Sequence, residues 1–349
     1  MTAVEEFLRE EIEAGSFPGA SAAVGSADGI LEEAVAGHAA VEPRERLVQA
    51  DTLFDLASLT KPLCVGALVA AAGPRGLPLA ETPGRFLPEW KKTRYEGITL
   101  EHLLTHTSGL PPWYPLYARG EGALAYRRTL AEMEPETVPA ARVIYSDLNF
   151  LLLTDVLEIF FGAPLDRSFS ELVAGPAGSG ARFLPASGSA AAATEKGDRF
   201  ERAMTEVRGL SYARFRDGVV CGEVHDGNAF RRGGVAGNAG VFATARDVYA
   251  LARRWLEPGR VAFGADRTPA LAEARGLAWQ GHRGAGSAIP EMSPSSFGHT
   301  GFTGTSIWID PERELIAVLL TNRIHPEVRE IPFNEVRQRF LRAVYGRFS

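Results

Sequence analysis

Apolar residues among glutamates at the start of the chain follow a helical period, which predicts an acidic amphipathic helix over residues 3–14 ending at Gly15. Pro18-Gly19 then reads as a turn, and residues 20–24 and 31–37 as a hairpin folded about Asp28-Gly29. Thr52-Leu53-Phe54 is a short approach to an apolar run, residues 63–72, that stops at Gly73-Pro74. Further helices are expected over residues 99–104, 151–161 (closed by Gly162), 245–255 and 334–345. Residues 111–117 hold three prolines and three aromatic residues, too much proline for a helix; they form a pocket wall or an ordinary packed loop. Residues 174–198, small and rich in Gly, Ala, Ser and Pro, read as a mobile loop or linker. Residues 222–229 lead into a glycine-dense turn over 233–240. Near the end, residues 298–309 are strand-like, and a turn at Asp310-Pro311-Glu312-Arg313 joins them to a very apolar strand, 315–321.

Composition narrows the classes without choosing among them. A chain of 349 residues can bury one large core or two moderate domains, and 45 % hydrophobic with 23 % charged residues is ordinary for a soluble globular protein. The net charge of -6, with both signs spread along the chain, gives no basic stripe and argues against nucleic acid as a partner. Cys64 and Cys221 are too few for a disulfide framework, and no Cys/His cluster has metal-ligand spacing. The N-terminus lacks the charged and apolar regions of a signal peptide, and no segment is long and apolar enough to span a bilayer. The expected location is cytoplasmic, with no membrane partner.

The candidate chemistry begins at Ser58-Leu59-Thr60-Lys61-Pro62. Pro62 crowds the preceding turn, so the helix must begin close to Ser58. Ser58 and Lys61, three residues apart on the first turn, share a face. The chain holds only four lysines (Lys61, Lys91, Lys92 and Lys196) and otherwise uses arginine. Lysine, unlike arginine, can give up its proton when desolvated and act as a base. A hydroxyl beside such an amine at a helix start is an activated nucleophile, or else a serine cap followed by a solvated lysine.

Two further stretches follow in order, Tyr145-Ser146-Asp147 and His299-Thr300-Gly301. Together with Ser58-x-x-Lys61 they resemble the three motifs of penicillin-recognising serine enzymes. The chain is most similar to the branch with class C β-lactamases, D-alanyl-D-alanine carboxypeptidases, D-aminopeptidases and β-lactamase-like esterases. Residues 103–110, Val224-His225-Asp226 and residues 233–240 extend the resemblance, which covers about residues 15–325.

The resemblance implies an α/β (α+β) fold, in which an antiparallel sheet from N- and C-terminal strands is flanked by helices and a mostly helical domain is inserted. Residues 1–60 and 240–349 would form the sheet domain and 61–239 the helical one, with the site at their junction. It also implies an acyl-enzyme on Ser58, assisted by Lys61, with Tyr145 as proton shuttle. For that role the phenol pKa, near 10 when unperturbed, has to fall, and nearby positive charge is the expected cause. The backbone N–H groups of Ser58 and Phe302 would form the oxyanion hole, and Asp147, His299, Thr300 and Gly301 would contact substrate. No cofactor or metal is implied.

Two departures bear on the substrate. Asp147 stands where Asn is common, and a carboxylate only accepts hydrogen bonds. His299 replaces the usual lysine, giving less fixed positive charge while still able to donate. Both favour small neutral esters or amides over carboxylate-bearing peptides and penicillins. β-Lactamase or D-amino-acid peptidase activity is the alternative, and a catalytically silent binding protein is a further one. Asn238 falls where the family often has His; His225 and Asp226 support the site or simply build a loop, and His106 and Ser108 fit a capping turn.

Overall fold

The computed structural model describes residues 2–348 except 74, 75, 92, 186–189 and 258. Helix α1 (Ala3–Glu13) starts on a Thr2/Glu5 capping box, and the chain leaves it through Gly15 at φ +74°. Strands β1 (Gly19–Gly25) and β2 (Ile30–Ala40) form the expected hairpin. With β3 (Arg46–Leu47), β4 (Gln280–Gly281), β5 (Phe297–Thr300), β6 (Ser306–Asp310) and β7 (Leu315–Thr321) they build a seven-stranded antiparallel sheet. Its order is β3-β2-β1-β7-β6-β5-β4, so early and late strands meet at β1·β7, with Ala20 opposite Thr321.

Strand β7 is apolar from Leu315 to Leu320 because both of its faces are covered. Leu315, Ala317 and Leu319 pack with Phe7 and Leu8 of α1 and with Phe340 and Val344 of the last helix, Phe333–Phe348. Ile316, Val318 and Leu320 face the other way, into a larger core that includes Val248 and Leu251 of the helix Ala245–Arg253. That second core continues into the helix Asp147–Phe161, which ends at Gly162 in the left-handed conformation. Helical and irregular segments between residues 57 and 264 carry the rest, with short strand pairs at 54–55/242–243 and 193–196/219–221.

Three expectations change. Residues 298–309 are two strands, β5 and β6, joined by a tight turn at 301–305 rather than one strand. The described part of 174–198 is no slack linker: Ala181, Phe183, Ala191 and Ala192 are buried in the large core, and residues 193–196 form a strand. The small side chains there permit close packing, a composition that flexible segments share. Finally, the helix from Ser58 changes its period, with a 3₁₀ turn at Ala57–Leu59, a π-helix at Lys61–Gly66 and an α-helix at Ala67–Ala72. Its expected stop at Gly73-Pro74 extends into Pro74, outside the described residues.

Candidate active site

The nucleophile segment is held under strain by its neighbours. Ala57 adopts φ +46°, a left-handed conformation that costs a side-chain-bearing residue about 1–2 kcal/mol. Buried Asp55 holds it there, with Oδ1 accepting from Ala57 N at 2.8 Å and Oδ2 from His225 N at 2.7 Å. The turn between β5 and β6 is fastened to the same segment: Thr303 Oγ1 donates to Asp55 O at 2.8 Å and Thr305 Oγ1 to Leu56 O at 3.0 Å. A Cβ on Gly301 would lie 2.0 Å from Thr305 Oγ1 and 2.7 Å from Leu56 O, so only glycine allows this approach. These contacts bring Ser58 and Phe302 to one cleft of about 470 Å3. Among the described residues the backbone N–H of neither is used within the protein.

Lys61 is fully buried. Its Nζ donates to Ser58 Oγ at 2.8 Å and to Asn238 O at 2.9 Å, and pairs with Asp147 Oδ1 at 2.6 Å. Two hydrogen bonds and an ion pair thus hold the ammonium, and the Tyr145 hydroxyl approaches it as well. Burial pulls the Lys61 pKa down, yet Asp147 and then Tyr145 more than offset it, so the net shift is upward. Lys61 therefore rests as a charged donor, not as the free base that desolvation alone would produce.

The Asn238 carbonyl is presented by the glycine-dense turn. Gly237 N donates to Thr154 Oγ1 at 2.7 Å, and a Cβ on Gly237 would lie 2.6 Å from Val65 Cγ2. The turn thus packs directly on the nucleophile helix and the helix Asp147–Phe161.

Tyr145 is brought to the same point. Its ring centroid lies 5.1 Å from Lys61 Nζ, and its hydroxyl bonds with Lys61 and Ser58. His106 and His299 flank the ring at 4.5 and 5.8 Å, with the Arg275 guanidinium 5.7 Å from its centroid. The expected fall in its pKa is not found. Burial raises it and the Lys61 charge only partly opposes this, so the resting group is a phenol. Since Lys61 donates to Ser58, the serine hydrogen is free to point at the Tyr145 oxygen.

Asp147, expected to contact substrate, is committed to Lys61 but still reaches the cleft, its side chain 21 % exposed. Thr300 and Gly301 line the cleft as expected, and so does His299. His299 Nδ1 lies 2.8 Å from Thr300 O, a carbonyl, so Nδ1 carries the hydrogen. Burial, then Lys61 and Arg275, hold its pKa well below the usual value. His299 thus presents a buried, unpaired acceptor at Nε2, where the sequence suggested a donor.

His225 and Asp226 are built into local structure and also line the cleft. His225 Nε2 meets Glu195 Oε2 at 2.9 Å and Asp226 Oδ1 caps the helix Gly227–Arg231 by accepting from Ala229 N at 2.7 Å, while both residues line the cleft. His106 accepts from Ser146 N at 2.9 Å through Nδ1 and positions the second motif; Ser108 donates to Asn149 Oδ1 at 2.7 Å and accepts from Leu110 N at 3.1 Å. Trp113 puts the proline-rich segment on the cleft wall.

Sequence reasoning missed Glu201, Arg275, Arg323 and Arg337, all of which line the cleft. Arg337 had a signal: it sits on the apolar stripe of the last helix with Phe333, Val336 and Phe340, an odd place for a guanidinium. It donates to Gly301 O at 2.7 Å, and burial with the nearby Arg323 lowers its pKa to about 9, still charged at neutral pH. Among the described residues neither Arg323 nor Arg337 has a carboxylate partner, although Arg323 Nε donates to Phe302 O at 2.9 Å.

A family model described as Beta-lactamase matches residues 4–338. An Escherichia coli K12 protein provisionally named a D-alanyl-D-alanine carboxypeptidase is 29 % identical over 320 residues, covering 80 % of this chain and 71 % of that protein. Among solved structures, EstCE1, titled a hydrolase with promiscuous acyltransferase activity, superposes with TM-score 0.75 at 20 % identity, covering 99 % of this chain and 98 % of its own. A penicillin-binding protein homologue from Caulobacter crescentus superposes with TM-score 0.72 at 19 % identity, covering 99 % and 96 %.

Proposed function

The chain belongs to the β-lactamase family of serine hydrolases, and from that premise we propose that Ser58 is its nucleophile, forming an acyl-enzyme with small esters or amides. The observation that carries this is the buried Lys61 ammonium, 2.8 Å from Ser58 Oγ, behind a cleft lined by both Ser58 and Phe302, whose backbone N–H groups are unused among the described residues. In the reacting form Tyr145 is a phenolate, its resting phenolic proton having been given up to solvent before the attack. It takes the Ser58 proton as Oγ attacks the acyl carbon and passes it to the leaving group, so the phenolate is regenerated. Lys61 stays charged throughout, stabilising the phenolate and the developing alkoxide. The N–H groups of Ser58 and Phe302 receive the oxyanion, and water repeats the sequence to release the acid.

Asp147, held by Lys61, and neutral His299 both support a substrate lacking a carboxylate. A second reading, a β-lactam or a peptide ending in a D-amino acid, draws support from Arg323 and Arg337, two cleft guanidiniums without an acidic partner among the described residues. Steady-state hydrolysis of p-nitrophenyl butyrate by wild type, lost in Ser58→Ala and strongly reduced in Tyr145→Phe, is the expected result. Nitrocefin turned over much faster than the ester would favour the second reading. No turnover of either, with Ser58→Ala indistinguishable from wild type, would leave a silent binding protein.

A further inference from the structure

On the Lys61 side of the cleft the protein presents acceptors in excess of donors. Asp226 uses one oxygen to cap its helix, and the nearby ammonium of Lys61 is engaged by Ser58 Oγ, Asn238 O and Asp147 instead. Asn238, only 1 % exposed, lines the cleft near Asp226 with neither its amide nitrogen nor its oxygen paired among the described residues, and the carboxylate attracts the nitrogen end. Its Oδ1 is then a buried acceptor without a donor. Asp147 lies close enough to Asp226 to repel it, and its carboxylate also reaches the cleft. Two carboxylates and an unpaired amide oxygen thus line the same cleft, and burial followed by Asp147 holds the Asp226 carboxyl above its ordinary range. A buried polar atom left unpaired by the protein, beside two like charges sharing one counter-ion, is unfavourable.

We infer that Asp226, Asp147 and the Asn238 side chain form a subsite for a primary ammonium group carried by the substrate. Three acceptors match the three hydrogens of R–NH3+, and the added charge balances the carboxylate that Lys61 does not. A hydroxyl offers a single hydrogen there and an acetylated amine no charge. The inference rests on the hydrolase reading and sharpens it, selecting amino-acyl esters and amides within that class.

Matched anilides test it at pH 6.5: the p-nitroanilides of D- and L-alanine and of β-alanine against propionyl p-nitroanilide, which lacks the amine. For at least one aminated substrate, wild type is expected to show kcat/KM about tenfold or more above the amine-free one, as for a lost charged hydrogen bond. Asp226→Asn, which can still cap the helix, should erase most of that ratio. A wild type that hydrolyses p-nitrophenyl butyrate but treats all the anilides alike overturns the subsite and leaves the hydrolase reading standing. Binding without turnover is read by calorimetric titration of n-butylammonium chloride against 1-butanol. Wild type should bind the ammonium at least tenfold more tightly than the alcohol, and equal or absent binding overturns the subsite whether or not the protein is a hydrolase.

Discussion

Replacing Asp147 by Asn removes the counter-ion of a fully buried ammonium and leaves the side-chain volume almost unchanged. At the 2.6 Å separation of the pair, Coulomb attraction is about 6 kcal/mol for an effective dielectric constant of about 20. Breaking a buried pair from one side typically costs about 3–5 kcal/mol. Lys61 has an escape, because it can shed its proton. At pH 7 that costs a lysine of ordinary pKa about 5 kcal/mol, and each added pH unit lowers the cost by about 1.4 kcal/mol. The penalty for losing Asp147 therefore has a ceiling that falls to about 2 kcal/mol at pH 9. In wild type the Lys61 pKa is raised, so its contribution to stability is complete below the unfolded value near 10 and is lost only as pH rises through the folded value. In Asp147→Asn burial dominates and the folded pKa drops. The unfolded chain then binds more protons, and the variant gains stability with rising pH below about 10. Urea unfolding of both proteins at pH 6.5 and pH 9 reads this directly. A deficit of about 3 kcal/mol is expected at the lower pH, shrinking to about 2 kcal/mol or less at the higher. A deficit that stays constant or widens would refute Asp147 as the counter-ion, as would an undiminished deficit in a Lys61→Met background.

Two other substitutions probe the surroundings of the site. Glu201 accepts from Gly227 N at 2.6 Å and from Tyr117 OH at 2.9 Å, and burial with nearby Asp226 pushes its pKa up to about 8. The folded state then holds a proton that the unfolded state releases, so wild type should lose up to about 4 kcal/mol between pH 4.5 and 8 relative to Glu201→Gln, measured by urea unfolding; parallel pH dependences would contradict the shift. Gly301→Ala forces a methyl against Thr305 Oγ1 and Leu56 O and should cost about 1–3 kcal/mol in unfolding experiments. Because the same turn carries Phe302 N, p-nitrophenyl butyrate turnover should fall as well, and unchanged stability and turnover would show that the approach is slack.

Local chemistry was legible where it is written locally. The Ser58/Lys61 spacing put both heads on one face, Gly162 ended its helix, and the hairpin at Asp28-Gly29 declared itself by its turn. Proton positions were not legible, because they depend on partners distant in the chain. Asp147 reverses the shift that burial alone would give Lys61, and burial prevails at Tyr145 despite the adjacent charge. The His299 tautomer is set by the Thr300 carbonyl, which no spacing rule reveals. Arg275, Arg323 and Arg337 reach the cleft from a loop, from the stretch after the last strand and from the final helix, none of which carries a motif. The small residues of 174–198 illustrate the converse error, since alanine and glycine favour tight packing as readily as slackness.

The pairing of β1 with β7 joins residues about 300 positions apart at the centre of the sheet. A chain emerging from the ribosome carries β1 and β2 early, yet the groove beside β1 must wait until residue 321 has cleared the exit tunnel. Until then the hairpin presents an open, apolar edge, a standing invitation to pair with another nascent chain. Because loop-closure entropy grows only slowly with length, the delay is one of synthesis time rather than of thermodynamic penalty. Slower translation of the stretch between the two strands therefore prolongs the aggregation-prone interval without altering the final stability.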